Sequence, residues 1–104
     1  MNDFNGGTPD FEVMQIFLDA GRAANNGSAV TGWLNGYQYC LHISTTRTPE
    51  GFEGGRVLDL RIRTLENEDV IEWNDGALRE SSDLDADKIK AGKALFERIV
   101  AVCN

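Results

Sequence analysis

The sequence is short of the residues from which catalytic and metal centres are built. Its 104 residues hold one histidine, His42, and two cysteines, Cys40 and Cys103. A Ser-His-Asp or Cys-His arrangement would have to run through that one imidazole. Cys40 stands two residues from it on the same side of a strand, about 7 Å along the chain and beyond direct contact. The two cysteines match no metal-ligand spacing, and zinc on this set would need carboxylates for its remaining ligands. They read as reduced, partly buried thiols, with a disulfide between them as the alternative. No apolar run approaches the roughly 20 residues of a membrane span. Residues 1–7 lack both a basic start and an apolar stretch, so no signal peptide is expected. The expectation is a cytoplasmic protein with no cofactor and no membrane partner.

Positive charge is also scarce. Ten Lys and Arg face 17 Asp and Glu, for a formal charge of −7. Residues 66–87 hold nine of the acids, with Arg79 as their single base. No basic footprint for a phosphate backbone is present, so direct nucleic-acid binding is disfavoured. The acids Glu66, Glu68, Asp69, Asp75, Glu80, Asp83, Asp85 and Asp87 point to a basic protein partner, or to solubility alone. Asp83-Leu84-Asp85-Ala86-Asp87 imitates the start of a calcium loop. Its sixth position is Lys88 and its twelfth is Ala94, where glycine and a bidentate Glu are required. No metal site is expected, and acids at a helix start are the alternative reading.

What is present reads as one α+β domain over residues 8–104 behind a loose tail over 1–7. Thr8-Pro9 supplies a hydroxyl cap and an N1 proline, and Phe11, Met14, Phe17, Leu18 and Gly21 recur at helical spacing. A helix over about 9–25 follows, with that stripe turned to the core. Asn35-Gly36 between two β-prone runs signals a two-residue type I′ hairpin. It would pair Leu34 with Tyr37, Gly32 with Tyr39 and Val30 with Leu41. Residues 57–65 alternate, with Leu58, Leu60 and Ile62 on one side and Asp59, Arg61 and Arg63 on the other. A fourth strand covers 70–74. Ile89, Gly92, Leu95, Phe96, Ile99, Val100 and Cys103 mark a final helix, and Gly92 implies close approach to the sheet. The expected fold is a four-stranded antiparallel meander flanked by an N-terminal and a C-terminal helix.

Two further stretches bear on function. Gly51-Phe52-Glu53-Gly54-Gly55-Arg56 is glycine-rich, yet it lacks P-loop spacing and leads into a strand. It reads either as a flexible connector or as a phosphate cradle. Trp33, Arg56, Arg61 and Arg63 together suggest an anion or nucleotide pocket, against the plainer alternative of a solvated, charge-paired sheet face. A second copy covering Trp33 and the arginines is a further expectation.

Gly32-Trp33 before the hairpin, Gly54-Gly55-Arg56-Val57 leading into Leu60-Arg61-Ile62-Arg63, and Ala94-Leu95 in the last helix resemble an uncharacterised family over about residues 30–103. Its members are short proteins encoded by phages and mobile elements of gut-type bacteria. The resemblance implies a setting in which small accessory proteins bind host machinery. The functional expectation is therefore a non-enzymatic protein that binds and inhibits a bacterial defence component, such as a CRISPR effector. Its acids would engage that effector's basic nucleic-acid groove. A nucleotide sponge built on Trp33, Arg56, Arg61 and Arg63 is the alternative, and a small interaction domain is another.

Overall fold

Asn35 and Gly36 turn the chain with φ of 54° and 81°. This is the left-handed geometry that a two-residue type I′ hairpin requires and that Asn and Gly adopt at little strain. Strands β1 (Val30–Leu34) and β2 (Tyr37–Ile43) leave the turn in the expected register, with Leu34 opposite Tyr37, Gly32 opposite Tyr39 and Val30 opposite Leu41. The computed structural model describes residues 11–27 and 29–104. The expected tail over 1–7 and the Thr8-Pro9 helix start lie outside them.

After β2 come a single 3-10 turn at Phe52–Gly54, β3 (Val57–Thr64), β4 (Asp69–Asn74) and β5 (Ala77–Glu80). Helix α1 (Phe11–Asn26) precedes the sheet and α2 (Ala86–Cys103) follows it. The fold class is α+β as expected, but the antiparallel meander has five strands in sequential order rather than four. The extra strand arises at Asp75-Gly76, where φ of 52° and 74° repeats the hairpin geometry. Residues 74–77 therefore reverse the chain instead of ending the sheet. Ala77-Leu78-Arg79-Glu80 is too short and too charged to declare itself a strand in sequence.

Both helices lie on one face of the sheet. The register carries Gly32, Tyr39, Ile62 and Ile71 across four strands on the same side. A Cβ on Gly32 would strike Asp19 of α1, and one on Gly92 of α2 would strike Val70, with Ile62 next to it. Gly92 is thus the close-approach point its place in the α2 stripe implies. Tyr39, Leu41, Leu60, Ile62, Val57, Ile16, Ile99 and Phe96 form the centre of the core. Trp73 stacks edge-on against Phe52 at 5.1 Å, and Phe52 against Phe96 of α2 at 5.3 Å. These rings close the sheet's far end, with Trp73 half-buried against the core.

Two register shifts alter the simple alternation. Ile43 pairs with Val57 and His42 with Asp59, which leaves Leu58 unopposed. Val57 therefore takes the buried place expected for Leu58, which is only half-buried. A second shift between Ile62 and Arg63 leaves Val70 unopposed. The bulge turns Val70 inward under Gly92, beside the inward-facing Ile71.

Helix α1 departs further from expectation. Its buried residues are Ile16, Asp19, Ala20 and Ala23. The expected core stripe points outward, with Phe11 70%, Met14 51%, Phe17 68% and Leu18 65% exposed. Small alanines beside Ile16 let the helix sit low on β1 and β2. Counting only the large side chains in sequence selects the wrong face.

Candidate functional site

Most of the acidic segment gathers where β5 ends and residues 81–84 lead into α2. A cleft of about 470 Å³ opens there, lined by Glu68, Asp69, Glu72, Glu80 and Asp83 with Arg79 as the one base. Backbone geometry holds it: Ser81 N–H donates to Val70 O, and Thr64 N–H donates to Glu68 O. Asp85 caps α2 by accepting from Asp87 N–H at 3.0 Å, so both acids also serve the helix start.

The acids and bases are not segregated as the sequence suggests. Arg63 donates to Asp69 at 2.7 Å. Arg61 reaches Glu72 at 3.3 Å, and Arg79 joins the same carboxylate group at 3.9 Å. Lys88 approaches Glu68 at 3.7 Å and Lys93 approaches Glu80 at 3.2 Å. Cross-strand pairing explains this, because Arg61 opposes Glu72 and Glu72 opposes Arg79 in register. Of the candidate partner-binding acids, Glu68, Asp69 and Glu80 are paired. Glu66, Asp75, Asp83, Asp85 and Asp87 carry no ion pair among the described residues. Glu72, absent from the candidate set, lies at the centre of the network; its outward place in the alternation of β4 was the available signal.

The arginines and Trp33 do not converge. Arg56 lies at the start of β3, where its Nε donates to Ser44 O at 3.0 Å. Arg61 and Arg63 point from the outer face, and both already hold carboxylates. Trp33, 62% exposed, stands on the same face but opposes Gln38, which in turn opposes Arg63. Two strand spacings, about 9–10 Å, separate the indole's strand from that of the guanidinium.

The glycine-rich loop is folded on itself by backbone hydrogen bonds. Gly51 N–H donates to Thr48 O, Gly54 N–H to Gly51 O, Gly55 N–H to Phe52 O, and Thr48 N–H to Gly55 O. Asn104, at the end of α2, ties the loop's exit to the helix. Its Oδ1 accepts from the amides of Arg56 at 2.9 Å and Val57 at 3.3 Å, while its Nδ2 donates to Phe52 O at 3.1 Å. A Cβ on Gly55 would occupy the Asn104 side chain's place. The amides of Gly51, Gly54, Gly55 and Arg56 are thus committed within the fold.

His42 opposes Asp59 across β2 and β3. The pair borders a second cleft of about 760 Å³ lined also by Glu50, Glu53, Trp73 and Asp75. Burial raises the Asp59 carboxyl above its ordinary range, against the lowering pull of Arg61. The indole Nε1 of Trp73 is buried without a hydrogen-bond partner. Among the described residues no group of three or more His, Cys, Asp or Glu side chains is placed to hold a metal ion, and no helix is long and apolar enough to cross a membrane. No protein-family model matches the chain, and neither does any characterised protein or solved structure.

Proposed function

We propose that the chain is a non-enzymatic binding protein that docks through its acidic end onto a basic protein surface. The observation that carries this reading is the β4–β5 end of the sheet. Five carboxylates line one cleft there, and Asp83, Asp85 and Asp87 stand exposed on its α2 side without ion pairs among the described residues. A basic partner would find acids with no lysine or arginine to displace at those three positions. Acids of this kind add long-range attraction and speed encounter, with a strength that falls as salt rises.

The resemblance to phage and mobile-element proteins gives the partner its class. It would be a bacterial defence component, such as a CRISPR effector, whose nucleic-acid groove supplies the basic surface in the host cytoplasm. Expression in a bacterium with an active CRISPR system tests this directly. The wild-type chain should restore plaquing by a targeted phage, and Asp83→Asn/Asp85→Asn/Asp87→Asn should restore it far less. Equal rescue by that triple variant rejects the acidic surface, and no rescue by the wild-type chain rejects the proposed target. Asn at position 85 keeps the helix cap, so the triple variant tests charge rather than folding.

The nucleotide-sponge alternative has a narrower basis. Arg61, Arg63 and Trp33 share the outer sheet face, but a ligand phosphate would have to displace Glu72 and Asp69. Calorimetry with cyclic and linear nucleotides should give heats at micromolar ligand on that reading, and flat traces at millimolar ligand would end it.

A further inference from the structure

The second feature with a claim on a partner lies away from the acids, on the outer side of α1. At 100° per residue, Met14 and Leu18 project almost opposite the buried Ile16, with Phe11 and Phe17 on either flank. All four are at least half exposed. The outward side is therefore apolar from Phe11 to Leu18, with the exposed Asn25 as the polar residue that ends the stripe. The polar flank is Gln15 and Arg22, and both turn back to Asp19, at 3.0 and 2.9 Å. Gly21 completes the stripe. A Cβ there would meet nothing within 4 Å, so no contact among the described residues requires a glycine at a position where glycine weakens a helix.

We infer that this face is the seat of a second copy of the chain, packed helix against helix about a two-fold axis near Leu18. Charge selects that occupant. The chain carries −7, and copies meeting at the β4–β5 end would bring their acids together. Among the described residues the outer side of α1 offers no carboxylate; Asp19 is buried beneath the helix and paired with Arg22. Two copies can thus meet there with their acidic ends held apart. A membrane surface would call for several Lys or Arg beside the apolar stripe, and α1 supplies Arg22 alone. Residues 1–10 bring only Met1 and Phe4 as large apolar side chains, two against the four on α1.

The area is adequate. Four side chains each expose roughly 100 Å², so two copies would bury about 800 Å² of apolar surface from these residues alone. That approaches the apolar share of a standard interface of about 1,600 Å². An isologous pairing also explains Gly21, since a missing side chain beside Leu18 lets the partner helix approach closely. This dimer uses a different face from the acidic end and does not depend on the function proposed above.

Sedimentation velocity on the full chain, from low to high micromolar, provides the test. The wild type should sediment as a concentration-dependent dimer. Leu18→Glu and Met14→Glu should sediment as monomers with unchanged circular dichroism, because both positions are exposed in the single chain. Trp33→Glu, on the outer sheet face, should remain dimeric. A wild type that stays monomeric at hundreds of micromolar overturns the inference. So does a dimer that survives Leu18→Glu, or one lost only with Trp33→Glu. The plaquing phenotype of the aspartate variant has no bearing on any of these outcomes.

Discussion

Tyr39 donates its hydroxyl proton to Asp19 directly above Gly32, so a side chain of β2 and one of α1 share the space that a β1 side chain would fill. Asp19 is 1% exposed, and a buried carboxylate is tolerated only when donors surround it. It has three: Tyr39, Gln15 at 3.0 Å and Arg22 at 2.9 Å. The register of the Asn35-Gly36 hairpin sets Tyr39 opposite Gly32, and the phase of α1 brings Asp19 onto both. This cluster fixes how the first helix sits on the sheet. It thereby determines which face of α1 is left outward.

Removing the phenol should therefore cost more than an average hydrogen bond. Tyr39→Phe leaves Asp19 in place with one donor fewer, and the expected loss is about 1–3 kcal/mol. Asp19→Ala removes the carboxylate and strands the Tyr39 hydroxyl, with a loss of similar size. The double variant should fall short of the sum, because both single changes break one interaction. Urea midpoints at neutral pH measure all three. A Tyr39→Phe midpoint equal to wild type would mean that the hydroxyl contributes nothing to seating α1.

Two glycines make contrasting demands on the core. Gly32→Ala would push a methyl into Asp19 and Tyr39, whose positions are set by three hydrogen bonds. Overpacking of this kind typically costs about 1–3 kcal/mol. Gly92→Ala meets Val70 instead, and the clash is offset in part by about 1 kcal/mol of gained helix propensity. Gly32→Ala should be the more damaging of the two in thermal melts. The reverse order would show that the β1–α1 contact yields more readily than the α2–sheet contact.

Some of these contacts are legible in the sequence and others are not. Asn35-Gly36 announced a hairpin correct to the residue, because two positive φ angles leave few alternatives to Asn and Gly. Gly92 could be recognised as a packing glycine because it fell within a strong apolar stripe. Asp75-Gly76 carried the same kind of turn signal, but it was followed by four residues too charged to suggest a strand. The face of α1 was illegible for another reason. Its outward side holds the larger apolar residues, and periodicity reports an apolar face without reporting what covers it. The acidic segment misled through register: Arg61 and Glu72 lie 11 positions apart in sequence, and only strand pairing makes them neighbours. The Arg56 amide likewise finds its acceptor in Asn104, 48 residues away.

That last contact yields a local prediction. Asn104→Ala removes two accepted hydrogen bonds and one donated, from the amides of Arg56 and Val57 and to Phe52 O. Stability should drop by about 1–3 kcal/mol. Amide exchange should rise most at Arg56 and Val57, while the β1–β2 amides keep their protection. Uniform loss of protection across the sheet would instead mark Asn104 as a support of the whole fold.

Alkaline pH should unfold the protein through two buried groups acting in sequence. Burial pushes the Cys103 thiol up to about 11 from an ordinary 9.0. Below pH 9 the thiol is protonated in both states and has no effect on stability. Between pH 9 and 11 the unfolded chain ionises first, so unfolding gains on folding as pH rises, by on the order of 2 kcal/mol. Tyr39 follows the same sign. Burial first, and then the Asp19 carboxylate, hold its phenol far above the ordinary 10.0, so its contribution begins to be lost above pH 10. Melting temperatures across this range should fall more gently in Cys103→Ala from pH 9 upward, and in Tyr39→Phe only above pH 10. In the native protein at neutral pH, a thiol reagent should modify the half-buried Cys40 first and reach Cys103 only on unfolding. Rapid labelling of both thiols in the folded state would show that the end of α2 opens readily. That opening would also release the Asn104 contacts to the 51–56 loop.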